Sequence, residues 1–138
     1  MPVNEQEVTA RISEKRRAED FSSHYANNIH LEPSGWDLKF IFGQLDLNLD
    51  PTKELVLQHS AITLPWAQAK MLAYLLQIHI AMHESQMGRV TVPQGLIFKV
   101  KGDMPPDFTQ QFGDNAAVLW QKLRAHYDNF IEENPEAE

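Results

Sequence analysis

The residues with the most obvious capacity for chemistry are His79 and His83, four apart in the stretch HIAMHESQMG. On a helix that spacing presents two imidazoles on one side, the first half of many metal sites. A zinc site needs three or four ligands, and Glu84, the nearest carboxylate, points about 100° away from His83. The order also departs from H-E-x-x-H, which would put a general base between the ligands. His79 and His83 therefore read first as packing or interface groups, with metal binding a candidate only if an oligomer supplies more ligands. No cofactor is expected.

Other chemistries fail on their own terms. In DLNLDPTKE, Asp46, Asn48 and Asp50 imitate the start of a calcium loop, but Pro51 stands where the sharp turn needs glycine and Leu57 where the bidentate glutamate belongs. The six glycines are isolated, and no G-x-S-x-G, G-x-G-x-x-G or phosphate-loop pattern occurs. His59 beside Ser60 does not read as a dyad, because neighbours on a regular strand point to opposite faces. No catalytic residue is assigned, and an enzyme is the third choice of function.

The elements that would position these residues start with alternation. Trp36, Leu38, Phe40 and Phe42 fall on one face of a strand, Asp37, Lys39 and Ile41 on the other. YANNIHLE precedes it across the turn former PSG, and ELVLQHSAITL follows it, which makes a three-stranded antiparallel meander. Thr63 then reads as the N-cap of a helix of about six turns, with Pro65 in its first turn and Gly88 at its left-handed exit. Its apolar arc spans roughly 200°, about twice the stripe that one sheet covers. Beyond it RVTVPQGLIFKVK suggests one or two short strands and GDMPPDFTQQFGDN a loop. Asp114 or Asn115 caps a second helix, in which Leu119, Trp120, Leu123, Tyr127, Phe130 and Ile131 keep helical spacing. The fold class is α+β: the meander, one long helix against its apolar face, and the C-terminal helix closing an edge or end.

Composition narrows the function. The chain has 138 residues, 43% of them hydrophobic, and no cysteine, which excludes disulfides, thiol nucleophiles and Cys-based metal centres and fits a cytoplasmic location. The formal charge of -7 is uneven: residues 128–138 carry five acidic groups and no basic one, while residues 1–20 and 21–127 each carry one net negative charge. A nearly neutral body lacks the basic face that nucleic acid requires, and no membrane span or apolar leader is visible. The expected organisation is a polar arm over residues 1–21, one domain over 22–132 and an acidic tail over 133–138. Both ends are expected to be mobile.

Several short segments resemble a known family: YAN at Tyr25–Asn27, FGQ at Phe42–Gln44, LPWAQAK with Pro65, Ala69 and Lys70, and GRVTVP with Gly88 and Pro93. In this order and spacing they look like a small, mostly bacterial family known only as a domain of unknown function (number 3467), over Tyr25 to Pro93. The resemblance implies a bacterial cytosolic origin and brings no catalytic residues. The C-terminal helix goes beyond the common pattern.

The expected function is a non-enzymatic interaction or assembly module acting as a homodimer. Its interface is the Met71, Leu75, Ile78 and Met82 side of the long helix, since a monomer rarely leaves so wide an apolar arc wet. The alternative is a small-ligand or regulatory domain with its pocket between sheet and helix.

Overall fold

The computed structural model describes residues 13–46 and 55–135. The calcium-loop mimic falls largely outside them, as do most of the N-terminal arm and the last three residues of the tail. The elements run β1 (Asn28–Pro33), β2 (Asp37–Asp46), β3 (Leu55–Pro65), α1 (Trp66–Met87), a 3-10 turn at Gln94–Leu96, α2 (Pro106–Phe112), a 3-10 turn at Gly113–Asn115 and α3 (Ala116–Glu133). The three strands form an antiparallel sheet in the order β1-β2-β3, so the architecture is α+β. The chain divides into two compact units, Met1–Leu72 and Ala73–Glu138.

In the first unit the alternation becomes register. Phe42 pairs with Ile29 and Ser60, Phe40 with Leu31 and Ile62, and Leu38 with Pro33 and Leu64, which puts the apolar set on one face. Lys39 pairs with Glu32 and Thr63 on the other, where Lys39 and Glu32 come within 4.0 Å. Trp36 does not join its predicted face: it lies in the hairpin turn before β2 and is 88% exposed. The turn is closed by Ser34, whose hydroxyl donates to an Asp37 carboxylate oxygen at 2.8 Å and accepts from the Trp36 and Asp37 N–H groups.

A register shift at Phe42/Gly43 interrupts the β2–β3 ladder, and Gly43 is required there. A Cβ on it would come within 2.9 Å of both the Leu57 carbonyl oxygen and Val56 Cγ1. The chain entering β1 is tied to this irregularity, because Asn27 donates its N–H to the Gly43 carbonyl and accepts from the Leu45 N–H on its side chain at 2.8 Å.

β3 extends through Pro65, with Thr63 paired to Lys39, so Thr63 is a strand residue and not the helix cap. Proline suits an edge strand as well as the brink of a helix, since its missing N–H is needed by neither. Trp66 fastens the start of α1 by donating its indole N–H to the Ser34 carbonyl at 2.9 Å. The other end matches expectation: Gly88 adopts φ +92° and its N–H reaches the Glu84 carbonyl.

The second unit departs more from the sequence reading. Residues 89–100 contain no strand, only the 3-10 turn, because Pro93 and Gly95 interrupt the apolar run before a ladder can form. The segment read as a loop contains α2, started by Pro106 at its first position with Asp107 in the first turn. Phe108 packs at a tilt against Phe112 within α2 and meets Trp120 of α3 edge-on, ring centres 5.3 Å apart. Asn115 precedes α3 as expected, but its side chain makes no capping bond. Among the described residues only Gly43, Val100 and Ala116 are buried.

Candidate functional site

α1 carries every side chain that sequence reasoning singled out for assembly or metal binding. Its 22 residues include two formal charges, Lys70 and Glu84, and none of the 22 is buried. Met71, Leu75 and Met82 are about half exposed and Ile78 is partly covered. A helix apolar on most of its circumference is stable in water only if most of that circumference is covered. The apolar face of the sheet is similarly open, with Ile29, Leu31 and Ile62 all exposed.

His79 and His83 are both exposed on α1. Among the described residues no three histidine, aspartate or glutamate side chains gather into a set able to hold a metal ion. Glu84 serves the helix exit, accepting the Val90 N–H on its carboxylate at 2.9 Å.

The expectation for His59 and Ser60 needs correction. His59 Nδ1 lies 2.8 Å from the Ser60 hydroxyl, and Nε2 lies 2.9 Å from the Tyr25 carbonyl. Residue 59 is the unpaired one opposite the register shift, where strict alternation lapses and neighbouring side chains can converge. A carbonyl can only accept, so the neutral ring carries its hydrogen on Nε2 and Nδ1 accepts from the serine. His24 stacks on His59 at 5.1 Å and is itself within 3.1 Å of the Ser22 hydroxyl. These partners make a clasp holding the strand's entry segment to β3.

In the second unit a pocket of about 350 Å³ opens between residues 92–100 and α3, lined by Val92, Phe98, Val100, Leu123, Tyr127 and Phe130 among others. It is almost wholly apolar, with the His126 ring at its wall. A second recess beside it shares Val100 and Tyr127 and adds Lys101, Arg124, Asp128 and Glu132. LIFKV, whose apolar pattern suggests a strand, instead lines this pocket through Leu96, Ile97, Phe98 and Val100. Leu123, Tyr127 and Phe130, at i, i+4 and i+7, were the visible half of it.

The fold and its surface define a class: an antiparallel meander leading into a long, nearly uncharged helix with no buried residue and several apolar side chains about half exposed. The chain belongs to the family described as protein of unknown function (DUF3467), whose model matches residues 2–92. No curated protein and no solved structure matches the chain. The match ends before most of the α3 pocket, so that pocket lies in the extension. No helix among the described residues is long and apolar enough to cross a membrane.

Proposed function

We propose that this chain is a non-enzymatic assembly module that acts as a homodimer, using the Met71, Leu75, Ile78 and Met82 side of α1 as its interface, in the cytoplasm of a bacterium. The observation that carries the reading is α1 itself: 22 residues, two formal charges and no buried side chain. Leaving that surface in water forgoes roughly 25 cal/mol for each Å² of apolar area that a partner would cover. A second copy is the partner present wherever the chain is. The test is the solution mass of the wild type and of Ile78→Glu. A dimeric wild type and a monomeric variant are expected; a monomeric wild type rejects the reading, and a variant that stays dimeric rejects this face of the helix.

The α3 pocket favours a second reading, a domain that binds a small apolar ligand, since its volume lies in the range of ligand sites. It stands beside residues 92–100 and not between sheet and helix. Binding of an apolar fluorescent probe that is lost on filling the pocket with Leu123→Trp would support this reading; equal binding by both proteins would reject it.

A further inference from the structure

Of the two charges on α1, Glu84 accepts the Val90 N–H at the helix exit, whereas no contact among the described residues accounts for Lys70. Lys70 lies in the second turn and Glu84 in the last, the reverse of the order that the helix dipole favours, with anions near the N-terminus and cations near the C-terminus. Lys70 has no ion-pair partner among the described residues. Lys70, Gln77 and Glu84 are seven residues apart in turn, so they share one stripe that drifts about 40° along its length. Gln77 is its midpoint.

We propose that α1 pairs with α1 of a second copy in antiparallel orientation, about a two-fold axis beside Gln77, so that each Lys70 faces the partner's Glu84. The inference rests on the homodimer reading and adds its geometry. An antiparallel pair matches position 70 with position 84 and position 77 with itself, which sets both cation and anion beside their opposites. It also opposes the two helix dipoles. A parallel pair would set Lys70 against Lys70 and Glu84 against Glu84.

The same arrangement fits the apolar residues next to the stripe. With Lys70, Gln77 and Glu84 as one rim, the seam consists of Met71, Tyr74, Ile78 and Ala81, at alternating spacings of three and four. Antiparallel layers then set Ile78 against the partner's Tyr74 and Met71 against the partner's Ala81, each large side chain meeting one of different size or shape. Leu75 and Met82 form the opposite rim. Met71, Tyr74 and Met82 are at least half exposed in the single chain, so they are open to such a partner. His79 and His83 point away from this seam by more than about 100°, so the pairing assembles no four-histidine site.

The absence of cysteine makes single-thiol variants clean reporters. Gln77→Cys should link to itself across the axis with a short bis-maleimide. Lys70→Cys should not, because its two copies stand about 21 Å apart along the axis, while a mixture of Lys70→Cys and Glu84→Cys should link. Lys70→Glu turns two attractions into two repulsions and should weaken the dimer roughly tenfold. Glu84→Lys should weaken it as well, with the added loss of the Val90 bond, and Lys70→Glu/Glu84→Lys should dimerise more tightly than Glu84→Lys alone. Circular dichroism of each variant checks that the helix is intact. Self-linking of Lys70→Cys, or no change in dimer affinity on Lys70→Glu, overturns the antiparallel geometry while a dimeric wild type leaves the assembly reading in place. A monomeric wild type overturns both.

Discussion

α1 and α3 are helices of 22 and 18 residues with opposite economies of surface. α3 is amphipathic: Lys122, Arg124, Asp128, Glu132 and Glu133 take solvent positions, while Leu123, Tyr127 and Phe130 turn to residues 92–100 and Trp120 meets Phe108. α1 has two charges for a longer helix and apolar residues on most of its circumference. The difference teaches that helical propensity and hydrophobic content do not say what a helix is for. Distribution around the axis does, because a stripe can be covered by one neighbour and a full circumference cannot.

The strongest way to break this contrast is to place the same charge in both helices. Ile78→Glu in α1 should weaken the dimer at least about a hundredfold, whereas Val118→Glu in α3, where the native side chain is exposed, should leave the mass of the assembly unchanged. Equal effects would show that the two helices do not differ in role. Next is a change that spares both helices. Gly43→Ala, whose new methyl would meet backbone at the register shift, should cost about 1–3 kcal/mol in urea unfolding. If dimer affinity falls with it, the sheet takes part in assembly and α1 does not act alone. Leu123→Ala, which removes a half-buried side chain from the α3 pocket, should cost about 1–2 kcal/mol of stability with no change in mass. A loss of the dimer there would place α3 in the interface. The smallest effect is expected for Trp120→Phe. The buried indole N–H of Trp120 has no acceptor among the described residues, so losing the orphan donor offsets the lost ring area and stability should change by less than about 0.5 kcal/mol.

What the sequence disclosed depended on how local the causes were. The meander was legible because Leu38, Phe40 and Phe42 repeat at a period of two and PSG marks the turn. The exit of α1 was legible from Gly88 alone, since few other residues reach φ +92° cheaply. The start of α1 was not. Thr63 has the right chemistry for a cap, but a ladder partner in Lys39 held it in the strand. The short helix α2 was hidden because two prolines suggest a break, although a proline at the first helical position costs no hydrogen bond and here begins the helix. His59 and Ser60 converged against the rule of alternation because a register shift sits opposite them, and no pattern in β3 announces it. The symmetric placement of Lys70 and Glu84 about Gln77 was present in the sequence all along, but it acquires meaning only once α1 is seen to contain no buried residue.

The family match ends at Val92, just past the Val90 N–H that Glu84 secures and within the first residues lining the α3 pocket. That boundary separates the part of the chain that the family model matches from the part beyond it. A chain built only from the matched region would keep the meander, the long helix and the face proposed for pairing, but would lack α3 and most of the pocket. The face proposed for pairing thus lies within the matched region and most of the pocket outside it, so each can be altered by substitution without touching the residues of the other.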